Sequence, residues 1–131
     1  EELTAPLKKF SNVKLVQSFL SHQEISEMHK QYGVFITPTR MDAQGVSRDE
    51  AMSSGLVAIT TDITAIPEFV DSETGILVPP EDFIGIAGAV EELYNDADKF
   101  LKLSKAGSDR VKAQCGYQNT TAKEINLIKH V

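Results

Sequence analysis

A chain of 131 residues with 41% hydrophobic content and a formal net charge of −6 fits one globular domain and leaves no room for two. Its 13 basic residues against 19 acidic ones give no electrostatic footprint for nucleic acid or anionic lipid, and no run approaches the ~20 apolar residues of a membrane-spanning helix. The single cysteine, Cys115, rules out an internal disulfide and a cysteine metal site, and fits a reducing, cytoplasmic setting.

The amino end, Glu1-Glu2-Leu3-Thr4, lacks the basic and apolar regions of a signal peptide, and a start at Glu1 rather than Met implies a natural protein that extends upstream. The first short apolar run is Val13-Lys14-Leu15-Val16. Ser21-His22-Gln23-Glu24 reads as a capping box opening a helix, with Ile25, Met28 and Tyr32 at helical spacing and Gly33 at its end. Val34-Phe35-Ile36-Thr37 follows as a second run, then a short helix from about Val46 to Ser54 with Gly55 at its carboxyl cap. Val57-Ala58-Ile59-Thr60 is the third run and Gly75-Ile76-Leu77-Val78 the fourth, with a helical turn starting at Pro67-Glu68 between them. Past Pro79-Pro80, a helix carries the stripe Phe83, Ile86, Ala87, Val90, Leu93 and Tyr94. Asp96 caps the next helix, striped by Phe100, Leu103, Gly107 and Val111, and a last helix from about Thr121 carries Ile125 and Ile128.

The second and third runs are nearly continuous in apolar or β-branched residues, as in strands covered on both faces. The expected fold is α/β, a Rossmann-like parallel sheet sandwiched by helices. Ligands of such sheets sit beyond the carboxyl ends of the strands, so the loops after Thr37, Thr60 and Val78 are the ones to inspect.

The loop after Thr37 carries the strongest candidate. Gly45 lets the backbone turn tightly into a helix whose first amides, around Val46 and Ser47, lack intrahelical partners and suit a phosphate oxygen. Asp42 lies before that turn and Glu50 about one helical turn after it, so both carboxylates flank a ligand seated there, and each can accept two hydroxyl protons of a sugar diol. The spacing alone is ordinary, since this acid content makes roughly 2.6 acidic pairs eight apart expected by chance.

The wider context resembles the retaining glycosyltransferases of the GT-B fold, in particular the large family four (glycosyl transferases group 1). That family's hallmark is matched by Pro38-Thr39, by Asp42 to Gly45, by Glu50-Ala51-Met52-Ser53 and Gly55, and by the strand entered at Leu56-Val57. Ile66-Pro67-Glu68-Phe69-Val70 resembles its Pro-Glu segment, Thr74 to Pro80 its Gly-hydrophobic-Val-Pro strand end, and Asp82 the acidic residue opening the next helix. The resemblance implies that Glu50 binds the ribose hydroxyls and Asp42 the transferred sugar. It further implies that the amides near Gly45, Val46 and Ser47 face the donor diphosphate, and that the loop at Thr64 and Ala65 approaches the nucleotide. It implies no metal and no cofactor, a nucleotide-diphosphate sugar as donor, a saccharide or glycoconjugate as acceptor, and a cytoplasmic enzyme that can lie peripheral to the membrane.

Three departures accompany the match. Asp42 is one methylene shorter than the usual Glu, and Ala43-Gln44 replaces Gly-Phe. The family's first two strands of this domain, with its basic diphosphate-binding pair, belong before Val13, and in space between Val13–Val16 and Val34–Thr37. The chain is thus expected to be the carboxyl-terminal part of a nucleotide-sugar-binding domain, inactive alone, completed by the missing amino-terminal part of the same enzyme or by a second copy of itself.

Plainer readings exist for each residue. Ser47-Arg48-Asp49-Glu50 is itself a capping box, Asp42 an ordinary loop carboxylate, and Gly45 a turn former. Arg40 and Arg48 read first as solvated arginines, with diphosphate neutralisation the sharper alternative. His22, His29 and His130 read as capping or surface residues without a ligand set. At the level of the whole chain the rival is a non-catalytic nucleotide-binding or assembly domain of the same fold. A receiver-like signalling module is disfavoured because Gln17 and Thr61-Asp62 supply no acidic cluster.

Overall fold

The computed structural model describes residues 3–42 and 44–129. Ala43 and His130, both singled out in the sequence, lie outside the described residues. Three strands, β1 (Val34–Thr37), β2 (Val57–Thr61) and β3 (Gly75–Val78), form a parallel sheet in the order β1-β2-β3. Val34 pairs with Val57 and Thr37 with Thr60, while Ala58 pairs with Gly75 and Thr61 with Val78. The helices are α1 (His22–His29), α2 (Val46–Ser53), α3 (Phe83–Asn95), α4 (Ala97–Cys115) and α5 (Tyr117–Lys129). Short 3-10 turns occupy Ala5–Lys9 and Ile66–Glu68, the second where Pro67-Glu68 was expected to start one.

The central strand explains the layering. Every residue of β2 is buried, and its side chains alternate between two apolar clusters. Val57 and Ile59 meet Val78, Ala89, Leu93 and Leu103 on one face. Ala58 meets Met52, Ile66, Val70 and Val111 on the other. Helix α4 serves both clusters, through Leu103 and through Val111. Between them it passes so near the sheet that a Cβ at Gly107 would stand 2.8 Å from the Thr74 carbonyl and 3.1 Å from Met52 Cε. Only a glycine admits that approach.

Local signals account for most element ends. The Ser21 hydroxyl accepts from the Glu24 amide at 3.3 Å while the Glu24 carboxylate accepts from the Ser21 amide at 2.8 Å, completing the expected capping box of α1. Asp82 caps α3 by accepting from the Gly85 amide at 2.8 Å, and Asp96 caps α4 by accepting from the Lys99 amide at 2.8 Å.

Four expectations are corrected. Val13–Val16 forms no strand: it runs as irregular chain with Val13 and Val16 exposed, because a strand needs a hydrogen-bonding neighbour and none of the three strands pairs with it. Helix α1 stops at His29 rather than running to Gly33, and Tyr32 is exposed, since two 3-10-type bonds, Gln31 N to Met28 O and Tyr32 N to His29 O, close the turn early. On α3 the buried stripe is Ala89 and Leu93 with Ile86 and Val90 partly covered, whereas Phe83, Ala87 and Tyr94 face out. Helix α5 begins at Tyr117, four residues before the expected Thr121, directly after the extended Gly116.

Candidate functional site

The rim at the carboxyl ends of the strands is assembled by threonine hydroxyls. Thr60 Oγ1 donates to the Thr37 carbonyl at 3.0 Å, the last rung beside the paired strands. From the last residue of β2, Thr61 Oγ1 donates to the Thr39 carbonyl, beyond the end of β1, at 2.7 Å and accepts from the Thr39 amide at 2.8 Å. Thr64 Oγ1 repeats the pattern on Asp42, donating to its carbonyl at 2.8 Å and accepting from its amide at 3.3 Å. A hydroxyl has one proton and two lone pairs, so each can satisfy both backbone groups of one residue at once. The loop after β1 is thereby pinned to the loop after β2 as far as Asp42.

At that point the chain turns. Gly45 adopts φ +68° as the amino cap of α2, and its carbonyl accepts from the amides of Arg48 at 3.0 Å and Asp49 at 3.1 Å. The amides of Val46 and Ser47 head the helix, and their side chains are exposed. The anticipated Ser47 capping box does not form: Ser47 already lies inside the helix, because the left-handed Gly45 takes the cap position. Asp42 is half-buried beside this turn, near enough that a Cβ on Gly45 would stand 2.9 Å from its Oδ2.

Arg48 overturns its solvated reading. It is 1% exposed, donates through Nε and Nη2 to Asp49 Oδ1 at 3.1 and 3.0 Å and through Nη2 to the Gln44 carbonyl, and lies 5.0 Å over the Phe69 ring. Its charge neutralises Asp49, which is why a guanidinium and a carboxylate can be buried between Phe69 and Cys115. Burial pushes the Asp49 carboxyl above the usual aspartate range in spite of the Arg48 hydrogen bond. Cys115, half-buried at the end of α4, lies with Sγ 3.8 Å from Asp49 Oδ2, and burial raises its thiol. Arg40, in contrast, keeps its solvated reading: its side chain is 85% exposed, and it forms an exposed two-point ion pair with Glu81.

Glu50 sits one turn into α2, with its carboxylate 3.5 Å from His22 Nδ1. It borders two clefts. One, of about 200 Å³, separates α1 from α2 and is walled by His22, His29 and Ser53. The other, of about 290 Å³, runs between α2 and the end of α4, past Val46, Lys112 and Cys115. A larger groove of about 570 Å³ crosses the strand ends between the Pro38–Met41 loop and the start of α3. Thr64 is exposed at φ +51°, and Ala65, half-buried, caps the 3-10 turn after it. The residues singled out in the sequence, Asp42, Gly45, Val46, Ser47, Glu50, Thr64 and Ala65, therefore lie on the two loops and one helix start that adjoin the strand ends. His22 was missed as a neighbour of Glu50 because nothing in the linear pattern tells which way the amino end of α1 points. Among the described residues no group of three or more His, Cys, Asp or Glu is arranged to hold a metal ion, and no helix is long and apolar enough to cross a membrane.

The parallel sheet flanked by helices is shared with solved glycosyltransferases of the GT-B fold. Sucrose-phosphate synthase from Thermosynechococcus elongatus superposes over 98% of this chain and 32% of its own with a TM-score of 0.86 at 23% identity. The carboxyl-terminal domain of a glycosyl transferase group 1 family protein, LpcC, from Francisella tularensis does so over 79% of this chain and 53% of its own with a TM-score of 0.70 at 27% identity. The family model of glycosyl transferases group 1 matches residues 1–96, and the chain belongs to that family. The lipopolysaccharide core biosynthesis mannosyltransferase LpsB of Rhizobium meliloti is 26% identical over 92 residues, 68% of this chain and 26% of the relative. The capsular polysaccharide biosynthesis glycosyltransferase CapM of Staphylococcus aureus is 37% identical over 79 residues, 60% of this chain and 21% of the relative. The chain spans about a quarter of the length of these two curated relatives.

Proposed function

We propose that this chain is the carboxyl-terminal part of the donor-binding domain of a retaining glycosyltransferase, transferring a hexose from a nucleotide-diphosphate sugar to a saccharide or glycoconjugate acceptor in polysaccharide assembly. The observation that carries this reading is the left-handed Gly45 start of α2, at φ +68°, with Asp42 beside the turn and Glu50 one turn into the same helix. In the reaction the bond from the anomeric carbon to the diphosphate oxygen breaks, releasing the nucleoside diphosphate, and an acceptor hydroxyl bonds to that carbon on the same face, its proton passing to the leaving diphosphate. The amides of Gly45, Val46 and Ser47, with the α2 dipole behind them, hold the diphosphate as charge grows on it. Glu50 takes the ribose diol, Asp42 a hydroxyl of the transferred sugar as the catalytic carboxylate, and Thr64 and Ala65 flank the nucleotide. Arg48 is spent on Asp49, so the cation that neutralises the leaving phosphate comes from the upstream part of the enzyme, and no metal is required.

Strand β1 has a hydrogen-bonded neighbour on one side only among the described residues, and we assign its open edge to strands from that upstream part. The acceptor is held there as well, so the isolated chain binds donor weakly and does not turn over. A cytoplasmic enzyme, peripheral to the membrane where its acceptor is lipid-linked, fits the polysaccharide and lipopolysaccharide roles named for the relatives. Calorimetric titration with UDP, GDP and ADP, and with their sugars, tests the reading. One nucleotide should bind, and Glu50→Gln should weaken it about tenfold, as loss of a charge-assisted hydrogen bond implies. Unchanged binding in Glu50→Gln would remove the ribose assignment.

A further inference from the structure

We propose that Arg48 is a positioning residue of the donor site: from a buried position it sets the geometry of the turn that aims the first amides of α2 and the Asp42 carboxylate, without touching the donor itself. The proposal rests on the donor-site reading above and deepens it. Arg48 is 1% exposed, and among the described residues its guanidinium makes three polar contacts, two to Asp49 Oδ1 and one to the Gln44 carbonyl. The Gln44 contact is the informative one. It ties the residue just before the turn to a group fixed inside the protein, because the same guanidinium lies 5.0 Å over Phe69, which comes from the loop after β2.

Gly45 is wrapped around this group. A Cβ there would stand 2.8 Å from Nη1 and 2.9 Å from Cζ of Arg48, and 2.9 Å from Asp42 Oδ2. The guanidinium and the Asp42 carboxylate thus lie together against one face of the Gly45 backbone. Thr64 holds the Asp42 peptide from the β2 side, and Arg48 holds the following Gln44 peptide from below. A flexible loop of this length would otherwise sample many arrangements, and the amides of Val46 and Ser47 would meet a diphosphate only at the entropic cost of ordering.

A planar fork is needed for this task. A lysine ammonium is a compact charge on a flexible stem and cannot present parallel donors to Asp49 while reaching Gln44 and stacking on Phe69. Simple stabilisation is a poor explanation for the pair, since replacing a buried ion pair by apolar residues of similar volume is often neutral or stabilising.

The test uses the 131-residue chain with UDP, GDP and ADP as probes, in wild type, Glu50→Gln, Arg48→Lys and the double variant Arg48→Met/Asp49→Leu. Hydrogen exchange at the amides of Arg48 and Asp49, which donate to the Gly45 carbonyl and so report on the turn, is followed alongside, without any nucleotide. The double variant should melt no lower than wild type, exchange those amides faster, and bind the preferred nucleotide about tenfold or more weakly. Arg48→Lys should fold and show both effects in smaller measure, which keeps the test open if the double variant fails to fold. Wild-type exchange and wild-type affinity in a folded Arg48→Lys or double variant would overturn the proposal. If Glu50→Gln weakens binding while these variants do not, the positioning role alone falls. If wild type binds none of the three nucleotides, the donor-site reading and this inference fall together.

Discussion

Replacing Gly45 by alanine should destabilise the protein through two separable effects. The first is conformational: at φ +68° an L-residue incurs about 1–2 kcal/mol for the left-handed region. The second is crowding, because the new methyl would stand 2.8 Å from Arg48 Nη1 and 2.9 Å from both Arg48 Cζ and Asp42 Oδ2. Arg48 cannot swing away, being buried and hydrogen-bonded to Asp49 and Gln44. Overpacking of a fixed neighbour costs about 1–3 kcal/mol, so the whole loss should be about 2–5 kcal/mol. Gly55 supplies the internal control. It too has positive φ, +90°, but a Cβ there meets only Ser104 Oγ, at an ordinary 3.5 Å. Gly55→Ala should therefore show the conformational cost alone. Urea denaturation at neutral pH, with matched m-values, measures both. Equal losses for the two variants would refute the crowding of Gly45 against Arg48, and a loss under about 1 kcal/mol at Gly45 would refute the strained turn itself.

Other expectations follow from the same geometry. Thr64→Val removes the hydroxyl that satisfies both backbone groups of Asp42, and should cost about 0.5–1.5 kcal/mol in urea unfolding while weakening nucleotide binding. Thr61→Val, one staple further from the turn, should cost more stability, since Thr61 is buried and its loss strands the Thr39 backbone in a covered position. Asp71 tests the acid limb. Burial pushes its carboxyl up, but the Arg110 guanidinium and the hydrogen bonds from the Glu73 amide and the Thr74 hydroxyl prevail and hold it below the usual range. A depressed native value means stability that is present above the ordinary aspartate range and lost as pH falls through the native value. The stability gap between wild type and Asp71→Asn should therefore be widest near neutrality and close on acidification. A gap independent of pH would contradict that assignment.

The sheet was legible because its signals are local. The runs at Val34, Val57 and Gly75 carry their own burial pattern, and the caps at Ser21, Asp82 and Asp96 follow from side chains that accept from amides three residues on. Val13–Val16 misled because its apolar content is that of a strand, yet strand formation depends on a partner that the run itself cannot encode. The candidate rim was legible only in part. Gly45 announced a turn, and Glu50-Ala51-Met52 carried the family resemblance. The fate of Arg48, in contrast, depends on Phe69, whose ring reaches it from a loop 21 residues along the chain. The threonine staples have the same character: Thr39 with Thr61 and Asp42 with Thr64 are each 22 residues apart, a recurrence that becomes visible only when β1 and β2 lie in register.

Backbone amide shifts, followed by NMR while UDP, GDP and ADP are titrated in turn into the isotope-labelled chain, ask whether the amino end of α2 receives a diphosphate. With one of the three, the largest shifts should fall on Gly45, Val46 and Ser47, with Glu50 and its neighbours next, and should shrink in Glu50→Gln. Saturating nucleotide that leaves these amides unmoved, or that shifts a different surface instead, would contradict the donor-site assignment.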